Sequence, residues 1–270
     1  MYVNVLGTLS ARIGKVSVLP TALKQRRILA LLALSRGMMV SNDQLIEEIW
    51  EGAPPKSAVT ALQTYVLALR KRISSVGVDA KRVVVTRDGG YQIRLAADGL
   101  DADAFEGHVQ LGHQLAAARD FQGAVDAFRA AQNRRRGGPF SDLSPGPRLA
   151  IEAARLEQMH IGAAEGCMEA ELRLGRHRSL VSELSALTAQ HPLHEHLHAQ
   201  YILALHRSGR RDQALAAYSR IRTSLRRELG VEPSPRLWHL QRDVLMAENL
   251  SISANEELGG YQDERKSGCR

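Results

Sequence analysis

The fold is decided by residues 83–95, which read VVVTRDGGYQIRL. Two apolar runs flank an Asp-Gly-Gly turn, and in the second run Tyr91 and Ile93 alternate with polar residues. An Asp-Gly pair between alternating apolar residues is a strong short-range signal for a β-hairpin. We therefore predict two antiparallel strands with Arg87 near the tip.

The preceding residues, 57–75, read SAVTALQTYVLALRKRISS and predict a helix that Ser57 opens. Apolar residues recur at spacings of three and four, which predicts one buried stripe formed by Val59, Leu62, Val66, Leu69 and Ile73. The opposite face carries Thr60, Thr64, Ala68 and Lys71, flanked by Gln63, Arg70 and Arg72. A small polar face with a basic end can enter a DNA major groove, whereas an ordinary solvated face is the alternative.

The residues before this helix supply the remaining elements of the same predicted domain. Residues 1–20 place short apolar runs between glycines, which predicts a small sheet. Leu23 to Leu34 predicts a helix with Leu23, Arg27 and Leu31 on its buried side, and Ser41 is a good N-cap for a helix from Asn42 to Trp50. A sheet, three helices and a terminal hairpin form a winged helix-turn-helix, whose third helix reads the major groove.

The charge distribution agrees with a nucleic-acid partner. The 270 residues carry a net charge of +7; residues 1–100 hold 14 Lys/Arg against 7 Asp/Glu, and the remainder holds 22 of each. A basic N-terminal unit joined to a neutral remainder is typical of a nucleic-acid-binding domain fused to a second module. The sequence has only two cysteines and no signal-peptide pattern. It also has no apolar run that approaches the ~20 residues of a membrane span, so we predict a cytoplasmic protein.

The neutral remainder predicts helical repeats. Similar apolar patterns begin at Ala124, Leu180 and Ala214, and Gly175 lies 34 residues before Gly209. Thirty-four residues is the period of tetratricopeptide-type helix pairs. The interval from Ala124 to Leu180 is longer than 34 residues, and a loop-forming insertion at 137–147 accounts for the difference. Asp103 with Glu106 predicts a capping box for a helix through Ala118. Pro235 begins a predicted closing helix that runs to about Asn249.

We thus predict a mainly α chain with a small β part. The predicted domains are a winged helix-turn-helix at 1–97, an all-α tetratricopeptide-like domain of about three helix pairs plus a closing helix at 98–250, and a disordered tail at 251–270.

The N-terminal motifs resemble the OmpR-type DNA-binding domain of the Streptomyces antibiotic regulatory protein (SARP) family. They are Lys24-Gln25-Arg26-Arg27, Leu29-Ala30-Leu31-Leu32, Val40-Ser41, Leu45-Ile46, Trp50, Pro54-Pro55, Leu62-Gln63-Thr64-Tyr65-Val66, Leu69-Arg70 and Gly90-Tyr91. The chain departs from that pattern at Leu67 or Ala68, where the family commonly has a basic residue.

The later motifs resemble the bacterial transcriptional activation domain of the same family. They are Leu100-Asp101-Ala102-x-x-Phe105-Glu106, Arg136-Gly137, Ala204-Leu205-x-x-Ser208-Gly209-Arg210, Ala214-Leu215-x-x-Tyr218 and the run from Glu228 to Pro235. The two resemblances together cover about residues 1–248.

The resemblance implies a small stand-alone activator of a secondary-metabolite gene cluster, without cofactor or metal and without enzymatic activity. It would bind direct repeats in double-stranded promoter DNA, as a homodimer on that DNA, and recruit RNA polymerase holoenzyme. The expected DNA contacts are Thr60, Gln63, Thr64, Arg70, Lys71 and Arg72 on the third helix, Arg87 and Arg94 in the wing, and Lys24, Gln25 and Arg26 at a helix N-terminus. The loop with Pro54, Pro55 and Lys56, between the second and third helices, is the expected polymerase contact.

Two alternative hypotheses remain open from the residues. His194, Glu195 and His198 form a His-Glu-x-x-His pattern, which in zinc hydrolases supplies two metal ligands and a base. The other alternative is a helical-repeat adaptor whose basic N-terminus only maintains solubility. The run Arg134 to Arg136 is interpreted as a solvated surface segment, with an extra phosphate contact as the alternative.

Overall fold

The chain begins with a three-stranded antiparallel sheet. The computed structural model describes residues 1–246, and its first strands are β1 (Tyr2–Asn4), β2 (Ser10–Ile13) and β3 (Val16–Ser17), in the order β1-β2-β3. Val3 lies opposite Ala11 in the register, and both side chains are buried. The predicted N-terminal sheet is therefore confirmed.

Three helices follow within the predicted limits: α1 (Leu23–Leu34), α2 (Asn42–Trp50) and α3 (Ala58–Ser74). Ser41 caps α2 in a reciprocal capping box with Gln44. Two side chains predicted to be buried are not: Leu23 is 44% exposed and Val59 is 50% exposed. Each lies in the first turn of its helix, and in α3 the neighbouring residue Ala58 is buried in place of Val59.

The hairpin pairs with a short strand that precedes α2. The second sheet has β4 (Val40–Ser41), β5 (Val84–Arg87) and β6 (Gly90–Ile93) in the order β4-β6-β5, all antiparallel. Gly90 is required at its position, because a Cβ there would lie 2.2 Å from the carbonyl oxygen of Val40. A four-residue helix, α4 (Ala80–Val83), precedes β5 and was not predicted.

Three helices continue the same compact unit: α5 (Asp101–Ala117), α6 (Phe121–Gln132) and α7 (Pro147–Arg173). The predicted capping box at the start of α5 is wrong. Leu100 is the N-cap residue and makes no side-chain cap. Asp103 and Glu106 lie inside the helix and instead pair with Arg36 at the end of α1.

Phe128 of α6 packs between two glycines. A Cβ on Gly112 of α5 or on Gly166 of α7 would lie 2.6 Å from the Phe128 ring. The fully buried ring therefore occupies the space that a side chain at either position would need. These two glycines allow the backbones of α5 and α7 to approach α6 closely.

The arginine run that precedes the 137–147 insertion is only partly solvated, because Arg134 and Arg136 are exposed whereas Arg135 is half-buried. Arg135 pairs with Glu157 at 3.0 Å, and Arg136 pairs with Asp101 at 2.8 Å. The backbone N–H of Arg136 also donates to the carbonyl of Leu6 at 3.0 Å. These contacts connect the run to α7, to α5 and to the segment between β1 and β2.

A second compact unit begins at Met168 and contains α8 (His177–Gln190), α9 (Glu195–Arg207) and α10 (Arg211–Leu229). Helices α8 and α9 pack together, as do α9 and α10. Gly175 and Gly209 have positive φ angles of 78° and 77° and form the predicted turns. Residues 235–246 are helical, in agreement with the predicted closing helix; its expected last residues, 247–249, and the predicted tail, 251–270, lie outside the described residues.

The first compact unit is Met1–Cys167. The predicted boundary at residue 97 therefore falls inside a unit that contains both the winged helix and α5, α6 and most of α7. The predicted fold class, a winged helix-turn-helix followed by helical repeats, is confirmed.

Candidate nucleic-acid interface

The outward side of α3 carries most of the residues predicted to bind DNA. Leu62, Val66, Leu69 and Ile73 are buried and fix the inner side of the helix. We call the exposed set on the opposite side the reading face; its members are Thr60, Gln63, Thr64, Leu67 and Lys71. Arg72 is exposed on the flank, and neither Lys71 nor Arg72 makes an ion pair with another described residue. The face is thus polar at its start and basic at its end.

Arg70 connects α3 to the wing. Its guanidinium donates from Nε and Nη2 to the carbonyl of Val84, at 3.0 and 2.7 Å, and from Nη2 to the hydroxyl of Thr86 at 2.8 Å. It also lies 5.9 Å from the centre of the Tyr91 ring. These bonds hold β5 and β6 against the C-terminal half of α3. A direct DNA contact by Arg70 stays a prediction. These bonds do not support it, because the guanidinium already donates to Val84 and Thr86.

The wing presents two arginines. Arg87, at the end of β5, is exposed and donates from Nε to Gln92 Oε1 at 2.8 Å, while Gln92 Nε2 donates to the Gly37 carbonyl. Arg94 follows β6, is exposed, and has its backbone N–H bonded to the Val83 carbonyl at 2.8 Å. Both guanidiniums are therefore on the surface of a hairpin whose base is fixed by α3.

The basic residues at the start of α1 are half-buried and have partners within the chain. Lys24 Nζ lies 4.8 Å from the centre of the Trp50 ring, and Arg26 donates to Asp142 at 3.0 Å and to the Pro20 carbonyl at 3.0 Å. Gln25 is half-buried as well. Phosphate binding by these three residues stays a prediction, and the Arg26 contacts point to a structural role for that residue.

The loop between α2 and α3 is exposed. Pro54, Pro55 and Lys56 are all accessible, and the loop is held at its ends by the N–H of Ala53 on the Trp50 carbonyl, at 3.0 Å, and the N–H of Ala58 on the Pro55 carbonyl, at 2.9 Å. The loop is thus a short fixed projection whose side chains are available to a partner.

Comparison with known proteins assigns the fold to a family. Residues 100–245 match the family described as Bacterial transcriptional activator domain, and residues 17–93 match the family described as Transcriptional regulatory protein, C terminal. The Regulatory protein DnrI of Streptomyces peucetius is 44% identical over 253 residues, which cover 92% of this chain and 93% of DnrI. The chain belongs to the SARP family of DNA-binding transcriptional activators.

Other relatives of this SARP are longer than the chain. The Regulatory protein AfsR of Streptomyces coelicolor is 36% identical over 226 residues, which cover 83% of this chain and 22% of AfsR. A solved structure titled Mycobacterium tuberculosis EmbR in complex with low affinity phosphopeptide is 33% identical, with a TM-score of 0.85. That match covers 91% of this chain and 65% of the EmbR chain.

The SARP chain contains buried polar contacts that sequence reasoning missed. Glu48 of α2 is fully buried, and its carboxylate accepts hydrogen bonds from the backbone N–H groups of Gly146 at 2.6 Å, Arg148 at 2.9 Å and Leu149 at 3.1 Å. Burial raises the pKa of Glu48 above its ordinary value, although the three N–H groups oppose that shift. One signal was available: Leu45, Glu48 and Ile49 have helical spacing on one buried side.

Asp101 makes an equivalent connection to the first sheet. Its carboxylate accepts from the N–H groups of Val5 at 2.7 Å and Leu6 at 3.2 Å, and from Arg136 at 2.8 Å. Burial raises the pKa of Asp101. Arg27 of α1 is also buried; it donates to the Ser144 carbonyl at 2.7 Å. These bonds join the winged helix to α5, to the insertion and to the start of α7.

The His-Glu-x-x-His pattern lies at the start of α9. His194 is the N-cap residue, and Glu195 Oε2 accepts from the Ser234 N–H at 2.6 Å. His198 is buried, and burial together with the positive charge of Arg220 lowers the pKa of its imidazole to about 4. Within residues 1–246 no group of three or more His, Cys, Asp or Glu side chains could hold a metal ion.

None of the helices in the described part of the chain is long and apolar enough to cross a membrane.

Proposed function

We propose that this SARP activates a secondary-metabolite gene cluster by binding direct repeats in double-stranded promoter DNA and recruiting RNA polymerase holoenzyme. The observation that carries the proposal is the reading face of α3, polar and basic, with the wing fixed beside it by Arg70. Direct repeats call for two molecules in the same orientation, so the complex on DNA is a side-by-side homodimer. DNA binding of this kind would place the protein in the cytoplasm, on the nucleoid.

The residues of the reading face divide into two roles. Lys71 and Arg72 lie in the last turn of α3, where unpaired cations can neutralise phosphates. Gln63 and Thr64 lie about two turns earlier and carry polar side chains that can meet base edges. Phosphate contacts fix the position of a helix in the groove, and base contacts select the sequence.

Salt titrations of variants test this division. The full chain is titrated onto a duplex from the region upstream of its own gene and onto a scrambled duplex, at several salt concentrations. Lys71→Ala should weaken binding to both duplexes and reduce the slope of log K against log salt by about 0.9. Gln63→Ala should weaken binding to the promoter duplex alone, by about 1–3 kcal/mol.

The matched control is Lys15→Ala. Lys15 is exposed on the turn between β2 and β3, so this variant removes the same charge from the other sheet of the winged helix. It should leave the salt slope unchanged. Equal losses on both duplexes for Lys71→Ala and Gln63→Ala would contradict the separate roles, and equal affinity of the unmodified chain for all DNA would contradict the proposed function.

Polymerase recruitment is assigned to the loop with Pro54, Pro55 and Lys56. Two prolines restrict the backbone, so an exposed loop of this kind loses little conformational entropy when a partner binds it. Replacing the three residues with Gly-Ser-Gly should preserve DNA binding and abolish activated transcription with purified polymerase. Unchanged transcription would remove the loop from the mechanism.

We further infer that the chain is not an enzyme and that the His194-Glu195-x-x-His198 segment is structural. A zinc hydrolase needs a free glutamate as base and accessible histidines. Glu195 instead holds the Ser234 N–H, and His198 is buried. Elemental analysis of the purified chain should find no stoichiometric zinc, whereas zinc that is retained through chelation and lost in His198→Gln would contradict this inference.

A further inference from the structure

A leucine occupies the middle of the reading face. Leu67 is 53% exposed. At about 100° per residue, Thr60 lies two turns before it on the same side of α3, and Thr64 and Lys71 lie about one turn away on either side. The neighbouring exposed residues are polar or basic, so Leu67 does not belong to a continuous apolar patch that would suggest a protein partner.

The other large exposed apolar side chain of α3 is Val59, and its position is different. Val59 is 50% exposed, but it lies eight residues before Leu67 and therefore about 80° around the helix. Single exposed apolar residues are common on protein surfaces and need no explanation. The position of Leu67, surrounded by the groups predicted to contact DNA, is what separates it from Val59.

The chemistry of the major groove restricts what Leu67 can face. A leucine side chain neither donates nor accepts hydrogen bonds, so it would desolvate the polar edge of guanine, adenine or cytosine without compensation. Thymine alone among the four standard bases presents a methyl group in the major groove. A 5-methyl pyrimidine is therefore the base edge that matches Leu67.

We propose that Leu67 is a specificity-determining residue that contacts the 5-methyl group of a thymine near the centre of each half-site. The proposal rests on the proposed function, because it requires α3 to lie in the major groove. Gln63 and Thr64 would read base pairs on one side of this thymine, and Lys71 would hold the phosphates on the other.

The test removes the methyl group from the DNA and the leucine from the protein. A binding site is selected from random duplexes with the full chain, and each thymine in it is replaced in turn by deoxyuridine, which lacks only the 5-methyl group. For the unmodified chain, one position per half-site should lose about fourfold in affinity, the value expected for one buried methyl group. Leu67→Ala should bind the thymine duplex more weakly and should not distinguish thymine from uracil at that position.

Two control variants identify the contact. Val59→Ala should keep the fourfold difference, because Val59 lies off the reading face. Thr64→Ser, which removes the neighbouring methyl group, should keep it as well. A uracil effect that persists in Leu67→Ala, or that disappears in Thr64→Ser, overturns the proposal, and so does a selected site at which no thymine depends on its methyl group. Failure to select any sequence would instead refute the proposed function, so the two failures are distinguishable.

Discussion

Replacing Glu48 with alanine should destabilise the first compact unit strongly. The Glu48 carboxylate is the acceptor for three backbone N–H groups at the start of α7, and the residue is fully buried. Those N–H groups have no partner within their own helix, because the first turn of any helix leaves its donors unsatisfied. Alanine removes the acceptor, so these donors lose their partner.

The size of the effect follows from which donors are buried. The N–H groups of Gly146 and Leu149 form buried bonds to Glu48, whereas that of Arg148 is partly accessible and can bond to water. An unsatisfied buried donor costs about 1–3 kcal/mol. Part of that cost is returned because the carboxylate, whose pKa is raised by burial, is no longer desolvated. We expect a net loss of about 3 kcal/mol in the free energy of unfolding.

Tryptophan fluorescence during urea unfolding measures this loss. The chain has two tryptophans, Trp50 and Trp238, so a Trp238→Phe background leaves Trp50, two residues after Glu48, as the reporter for the first unit. A loss of about 3 kcal/mol should lower the urea midpoint by about 1–2 M. Glu47→Ala is the matched control: Glu47 is exposed and pairs with Arg148 at 2.9 Å, which is worth less than about 1 kcal/mol. Equal midpoints for Glu48→Ala and Glu47→Ala would refute the reasoning.

Three further predictions concern packing, pH and the wing. Gly112→Ala should destabilise the first unit by about 1–3 kcal/mol, because the added methyl group meets the buried Phe128 ring. Gly107→Ala on the same helix has open space around it and should stabilise the unit by about 0.5–1 kcal/mol. Thermal unfolding that shows Gly112→Ala to be the more stable variant would contradict this. Burial lowers the pKa of His198 to about 4, so its neutral form favours the folded second unit. The stability reported by Trp238 should therefore fall as the pH drops from about 6.5 to about 4, and less so in His198→Gln; identical pH profiles would argue against it. Arg70→Lys should lower the free energy of unfolding by about 1 kcal/mol and speed amide hydrogen exchange in β5. Unchanged exchange in β5 would show that the Arg70 hydrogen bonds do not hold this strand.

Sequence reasoning succeeded where the determinants are local. The start of α2 follows from Ser41 and from the capping box that it forms with Gln44, three residues away. The hairpin follows from one Asp-Gly turn and the alternation on either side of it. In each case the residues that decide the structure lie within a few positions of one another, so the pattern contains the physical cause.

Sequence reasoning failed where the deciding contact is distant along the chain. Glu48 accepts hydrogen bonds from N–H donors 98 to 101 positions later, and Arg26 pairs with Asp142 116 positions later. Asp103 has the spacing of a capping residue, yet it binds Arg36, 67 positions earlier. A local pattern does not say which of two competing partners a carboxylate takes, because that choice depends on how the helices pack.

The same distant pairs change the meaning of the charge count. Arg26 and Arg36 belong to the basic first hundred residues, but their charges are offset by carboxylates beyond residue 100. Basic side chains without an acidic partner include Lys71, Arg72 and Arg94 on α3 and the wing, and Arg12, Lys15 and Lys56 elsewhere in the winged helix. The excess positive charge of the first hundred residues therefore lies on these unpaired side chains rather than on Arg26 or Arg36. Attraction between exposed charges falls off within about 10 Å at moderate salt, so each cation acts only on phosphates close to it. Near the reading face those cations are Lys71 and Arg72, whereas the charge of Arg26 at the start of α1 is offset by Asp142.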